Sequence, residues 1–296
     1  MSPRIAFIGF GEAGQAMAAG LREDGVSEIA AWDILFPDAA GARLVDAAQN
    51  SSVRVAPSAT DAIRDAEIVI AAVTAASSYG AAQSVAGHLQ GKPLYLDVNS
   101  VSPGRKEATA KLLGDHARYV DVAIVSAIHP ARHKSPMMLA GPHAAQAEPV
   151  LTSLGMKAQI VGGEIGAAAA IKMIRSVMIK GIEALTLECF LAASRAGVVD
   201  QVAASLHNNY PGVDWRKMSE YNIERMASHG IRRAAEMREV ADTLRELGIA
   251  PLMTEGTIKR QQELGEIGQR PQVRDAVAKG RAALLEAIDG AMPKQG

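Results

Sequence analysis

The chain has 296 residues, and its 48% hydrophobic and 21% charged residues are ordinary globular usage, which excludes a disordered or collagen-like chain and leaves room for about two domains. Thirty-one basic against 32 acidic residues leave a formal charge of −1, so neither nucleic acid nor an anionic membrane is expected as partner. The single cysteine, Cys189, can close no intramolecular disulfide and build no cysteine zinc cage, which fits a reducing cytoplasm. Too few residues precede the first apolar run for a signal peptide, and no uncharged apolar stretch reaches the ~18–20 residues that span a bilayer.

Arg4-Ile-Ala-Phe-Ile-Gly9 is a short apolar run closed by glycine and is expected to form a buried parallel strand. A helix follows over 15–22, then a second strand over 28–33. The alternation continues with strands at 52–55, 66–73 and 93–98 and helices at 60–65 and 79–89. Ser102 before Pro103 reads as a cap with proline at the first helical position, opening a helix through Leu113. Strands at 119–125 and 137–140, a helix at 143–154 and a last strand at 157–161 complete this half. Such alternation predicts an α/β fold with a doubly wound, mainly parallel sheet.

The pattern changes at Gly162-Gly163. From Glu164 to Gly197 there is no proline, and one helix of roughly 34 residues and roughly 50 Å is expected. Further helices are expected over 200–207, 215–227, 232–247, 251–262 and 271–288, with fraying after Met292. The sequence thus divides into an α/β domain over 1–163 and an all-helical domain over 164–296.

Gly9-Phe-Gly11-Glu-Ala-Gly14 matches G-x-G-x-x-G, a weak signal alone, but here it directly follows a strand and opens a helix. Gly9 permits the tight turn, Gly11 lets a pyrophosphate approach the backbone, and Gly14 allows close helix–strand packing. The anion then meets the unpaired N–H groups and dipole of the helix N-terminus. Asp33 ends the second strand 19 residues after Gly14, where a carboxylate can accept hydrogen bonds from ribose hydroxyls. No arginine stands among Ile34, Leu35 and Phe36 to take a 2′-phosphate, so NAD is expected, with NADP as the alternative. The first domain is therefore expected to be a Rossmann-type dinucleotide-binding domain.

Between Glu164 and Lys180 the only charged side chains are Lys172 and Arg175, with Ser176 on the same helical face. Partial burial would lower a lysine's pKa and suit it to acid–base work near neutrality. The alternative is a lysine whose stem packs while its head reaches water.

With both motifs in place, the chain resembles the β-hydroxyacid dehydrogenase superfamily, which includes 6-phosphogluconate and 3-hydroxyisobutyrate dehydrogenases. The resemblance runs over nearly the whole chain. The segment from Ile8 to Met17 is similar to the family's cofactor signature, which implies cofactor contacts at Gly9, Phe10, Gly11, Glu12, Ala13 and Gly14. Val73-Thr74 matches the loop beside the cofactor, and Asp97-Val-Asn99-Ser-Val-Ser-Pro103 resembles the segment near the nicotinamide. Asp121-Val-Ala-Ile-Val-Ser126 resembles the substrate segment and implies that Ser126 meets the substrate carboxylate. Gly166–Ser176 is similar to the catalytic motif, which makes Lys172 the general acid/base. The activity implied is hydride transfer between a nicotinamide cofactor and a small β-hydroxy acid.

The chain also departs from that pattern. Ala127 and Ile128 replace two glycines, Ser176 stands where asparagine is usual, and Ile179 stands where 6-phosphogluconate dehydrogenase has glutamate. The family's distal Lys-Asp pair aligns with Ala235-Glu236, leaving Arg232 or Arg233 as substitutes. The stretch from Met226 to Arg238 marks a divergent branch. His129, Arg132, His133 and Lys134 form a loop that either grips an acidic substrate, with His129 nearest Ser126, or is simply solvated. No metal-ligand spacing occurs among the seven histidines. Cys189, Met173 and Met178 read as core residues, and Trp215 and Tyr221 as packing residues, with an interface role as the alternative. Imine reduction on the same architecture and a non-catalytic dinucleotide sensor are the competing functions. A long apolar helix in so small a domain also predicts a homodimer.

Overall fold

The structure is a computed structural model that describes residues 2–292; the stretch after Met292 expected to fray lies outside the described residues. Two compact units result, Met1–Lys172 and Met173–Gly296. The first contains strands β1 (Ile5–Ile8), β2 (Ile29–Trp32), β3 (Arg54–Val55), β4 (Ile68–Ala71), β5 (Leu94–Asp97), β6 (Arg118–Ile124), β7 (Met137–Ala140) and β8 (Ala158–Gly162). They form one sheet in the order β3-β2-β1-β4-β5-β6-β7-β8, parallel throughout except between β6 and β7. Interleaved are α1 (Glu12–Glu23), α2 (Ala42–Asn50), α3 (Ala59–Ala62), α4 (Ser78–Ala86), α5 (Pro103–Leu113) and α6 (Ala144–Ser153).

The strands read as continuous apolar runs because both faces are covered. Ile5 and Phe7 join Met17, Leu21, Val120 and Val122 on one side of the sheet. Their neighbours Ala6 and Ile8 join Val69, Tyr95 and Tyr119 on the other, the period of two that a strand imposes. Strand order reverses between β1 and β4, and the crevice at such a switch point is where open α/β sheets bind ligands.

Helix α7 (Ala167–Arg195) begins in the first unit, and α8 (Val199–Asn209), α9 (Trp215–Glu246), α10 (Leu252–Ile267), α11 (Pro271–Val277) and α12 (Arg281–Ala291) build the second. Helix α7 has 29 residues rather than the longer run expected. The expected break at 228–231 is absent, and α9 runs unbroken for 32 residues. Gly230 is a point of close approach rather than a stop: a Cβ there would lie 2.3 Å from the Gln261 carbonyl oxygen and 2.7 Å from Gly265 Cα of α10. Conversely, the single helix expected over 271–288 is two, because Gly280 caps α12 with a positive φ of 87°. Helix α2 carries one buried residue, Ala48, and so left no apolar periodicity to read. No helix among the described residues is long and apolar enough to cross a membrane.

Candidate active site

Gly9 ends β1 with φ 93°, and a Cβ there would sit 2.4 Å from the Ala72 carbonyl oxygen and from Val73 Cγ1. Gly14 is nearly as confined, 2.6 Å from the Gly9 carbonyl oxygen. Gly11 is different: a Cβ there would meet nothing within 4 Å. Gly11 also caps α1 without any side-chain hydrogen bond to the first-turn N–H groups. Open space over uncapped amides is what a pyrophosphate requires, so the turn fits a dinucleotide. Two substitutions separate the roles. Gly11→Ala should leave the melting temperature nearly unchanged yet weaken NADH binding about tenfold or more, the scale of one lost charge-assisted contact. Gly9→Ala should instead lower stability, because positive φ and a backbone clash coincide. Thermal denaturation and NADH fluorescence titration check both.

Asp33 follows β2, and its carboxylate accepts the Phe10 N–H at 2.7 Å and the Leu35 N–H at 3.0 Å. It thereby closes the turn it was expected to face, and each oxygen keeps lone-pair capacity for a hydroxyl. The Phe10 ring is fully buried between Phe7 and Phe36, with centroids 6.3 and 6.1 Å away. Phe10 therefore shapes the turn from the core side, while Glu12 is exposed in the first turn of α1 and Ala13 is half-buried.

Beyond β4, the Val73 N–H donates to Asn99 Oδ1 at 2.7 Å, while Thr74 is exposed and donates to Ser77 Oγ at 3.0 Å. Asn99 is held by Asp97 Oδ1, which accepts its N–H at 3.0 Å and its Nδ2 at 2.8 Å. The side chain of Asn99 thus joins the loops after β4 and β5. One residue on, Ser100 Oγ accepts a hydrogen bond from Lys172 Nζ at 2.6 Å. The half-buried lysine of α7 is therefore fixed against the loop that follows β5.

Under this loop lies a buried charge cluster that sequence reasoning missed. Asp97 and Asp121 are register partners on β5 and β6, and Lys106 of α5 reaches both, 3.2 Å from Asp97 Oδ1 and 3.5 Å from Asp121 Oδ1. Its Nζ also donates to the Asp97 carbonyl oxygen at 2.5 Å. Tyr119 donates to Asp97 Oδ2 at 2.8 Å, and burial, then the Asp97 charge, hold its phenol well above the usual range. Asp121 Oδ2 accepts the Gly166 and Ala169 N–H groups, both at 3.1 Å, and so caps the start of α7. Nothing local marks Lys106, because its partners sit on two strands.

Ser126 is exposed in the loop after β6, and so is His129. The rest of the basic loop is paired with acidic residues at the far end of α1. Arg132 pairs with Glu23, while His133 Nε2 and Lys134 Nζ lie 3.0 and 2.7 Å from Asp24 Oδ2. Their targets end α1, about 18 Å along that helix from the glycine turn. Lys134 and then His133 hold the Asp24 carboxyl below its ordinary range.

In the second unit Arg175 is exposed and Ser176 is buried, its Oγ accepting a hydrogen bond from Lys180 Nζ at 3.3 Å. Lys180, which the sequence did not single out, is paired with Glu236 at 2.8 Å. Arg232 pairs with the other oxygen of Glu236 at 3.2 Å, and Arg233 forks onto the buried Glu183, so neither arginine stands unpaired in place of the missing lysine. Met178, expected in the core, is 64% exposed, and Tyr221, read as a packing or interface residue, is 60% exposed, whereas Met173 is buried and Trp215 packs against the helical core.

Comparison with known proteins agrees with this geometry. A family model described as NADP oxidoreductase, coenzyme F420-dependent, matches residues 4–100. A domain of unknown function (DUF1932) matches residues 193–264. A conserved hypothetical protein from Sinorhizobium meliloti is 32% identical, covering 99% of this chain and 97% of that one, with a TM-score of 0.78. A conserved protein of unknown function with structural similarity to 3-hydroxyacid dehydrogenases is 30% identical over 89% of this chain and 97% of its own, with a TM-score of 0.71. The 3-hydroxyisobutyrate dehydrogenase of Mycobacterium tuberculosis shares the fold at 19% identity, 99% and 100% coverage and a TM-score of 0.70. The chain belongs to the β-hydroxyacid dehydrogenase superfamily of NAD(P)-dependent oxidoreductases.

Proposed function

We propose that this protein is a NAD(P)-dependent dehydrogenase acting on the CH–OH group of a small β-hydroxy acid, with Lys172 as general acid/base. The observation that carries the reading is the 2.6 Å hydrogen bond from Lys172 Nζ to Ser100 Oγ. It holds an amine beside the loop whose neighbouring residue, Asn99, orients Val73. Gly11 and the first-turn amides of α1 would hold the pyrophosphate, and Asp33 the ribose. The nicotinamide, when bound, supplies the hydride acceptor or donor. In the oxidative direction the neutral Lys172 amine accepts the substrate hydroxyl proton at Nζ, and Ser100 Oγ accepts a hydrogen bond from the ammonium so formed. Ser126, with His129, holds the carboxylate, and on α7 Arg175 and Ser176 stand three and four residues after Lys172 on its helical face. A lysine at this position favours the alcohol over the imine as the group transformed. The test is a hydroxy-acid panel followed by NADH and NADPH absorbance; dinucleotide binding with no turnover on any acid would favour the sensor instead.

The partition of labour follows the chain: 1–163 binds the dinucleotide, and 164–296 contributes the substrate and dimerisation surfaces. NAD is the preferred cofactor, because the Asp33 carboxylate would repel a 2′-phosphate. Asp33→Asn should weaken NAD binding by about 1–3 kcal/mol and narrow the gap to NADP, measured as two dissociation constants. Tighter NADP binding by the wild type would reverse the assignment. Along α7, Ile174, Met178 and Leu185 are 47%, 64% and 67% exposed, an apolar stripe that a second copy would cover. Light scattering should return twice 31.0 kDa at micromolar concentration, and a monomer mass would refute the dimer. Burial raises the Cys189 thiol, in keeping with an unreactive cysteine.

A further inference from the structure

The stretch that marks this chain as divergent, Met226–Arg238, lies on α9, and its exposed face carries more than packing explains. Tyr221, Arg225, His229 and Arg232 follow one another at spacings of four, four and three residues, so they form one stripe. Arg225 lies over the Tyr221 ring, its Cζ 6.0 Å from the centroid, yet its Nε is buried with no hydrogen-bond partner. Among the described residues Arg225 makes no ion pair, and His229 makes no hydrogen bond. Burial lowers the His229 pKa first, and Arg225 and Arg232 lower it further, against a smaller opposing effect of Glu224. The Glu224 carboxylate is engaged by Ser228 Oγ at 2.8 Å, and Glu236 already serves Lys180 and Arg232. Glu224 therefore offsets only part of the positive charge that Arg225 and Arg232 place around His229. A buried, unpaired guanidinium N–H is costly to keep, and an oxyanion is the group that satisfies it, through a fork that matches its geometry.

We propose that Arg225, His229 and Arg232 form an anion-binding site on α9 that takes the carboxylate or phosphate group of a small organic acid. Arg225 supplies the directional donors, with its plane fixed against Tyr221. His229 adds a donor from the next turn, and Arg232 adds charge about 10 Å along the helix from Arg225. The site is independent of the redox reading, and its test needs no turnover.

The ring resonance of His229 in the full-length protein, assigned with His229→Gln, is followed during titration with inorganic phosphate and, separately, with succinate. Chloride keeps ionic strength constant. A saturable shift with either anion supports the site; phosphate alone identifies a phosphate ligand, and succinate alone a carboxylate. Arg225→Met, which keeps most of the packed stem, should weaken that binding about ten- to hundredfold, the range for a charge-assisted hydrogen bond. Should that variant not fold, Arg225→Lys retains the charge without the fork and should weaken binding in the same direction. A linear shift no larger than chloride produces, or unchanged affinity in the folded Arg225 variant, overturns the proposal. A protein that binds these anions but oxidises no hydroxy acid would leave this site standing and remove only the dehydrogenase reading.

Discussion

Lys172→Met is expected to lower turnover on any oxidised substrate by about 10²–10⁴-fold while leaving NADH affinity within about threefold of wild type. Methionine keeps most of the volume of the lysine stem, so the loss reports the missing amine and not a cavity. The amine is held by Ser100, and Ser100→Ala supplies the graded companion. Losing one hydrogen bond to a charged group should cost about 1.5–3 kcal/mol, a smaller loss in kcat than removing the base itself. A structural lysine gives the opposite pattern: Lys172→Met would melt at lower temperature but turn over normally. Steady-state kinetics beside thermal denaturation separate the two, and near-normal turnover in the methionine variant would end the acid/base assignment.

What could be read from the sequence was whatever depends on neighbours along the chain. The glycine turn, the strands and the cap at Ser102 are local signals, and each has its counterpart in the structure: Ser102 Oγ accepts from the Arg105 N–H at 3.4 Å. What the sequence left open, missed or misplaced lies where a residue's partner is remote. Gly230 carries the signature of a helix stop, but its missing side chain admits the backbone of α10. Arg132, His133 and Lys134 read equally as a substrate clamp or a solvated loop, and the partners that engage them, Glu23 and Asp24, lie more than a hundred residues away in sequence. Lys180 lies in the same apolar helix as Lys172, and its ion-pair partner, Glu236, stands on α9, remote in sequence. Lys172 itself could be weighed from its segment, and Ser100, which orients it, stood unremarked inside the recognised Asp97–Pro103 stretch.

Lys106→Met should be among the most destabilising single changes in the first unit. Asp97 and Asp121 stand opposite each other in adjacent parallel strands, at 1% and 0% exposure, and Lys106 is the cation that lies between them. Removing one partner from a buried ion pair costs about 3–5 kcal/mol, mostly because the remaining charge is stranded. For a protein of this size each kcal/mol corresponds to about 2–4 °C, so the melting temperature should fall by about 6–20 °C. The double variant Lys106→Met/Asp121→Asn removes one charge of each sign, and its asparagine oxygen can still accept from Gly166 and Ala169. It should therefore be more stable than the single variant, a coupling that independent sites would not produce. A loss below about 1 kcal/mol in Lys106→Met would mean that the carboxylates are not both charged in the native state. Because Asp97 orients Asn99 and Asp121 caps α7, the same substitution should loosen the Val73 loop and the first turn of the lysine-bearing helix together. Amide exchange at Val73, Gly166 and Ala169 would show whether they open as one unit.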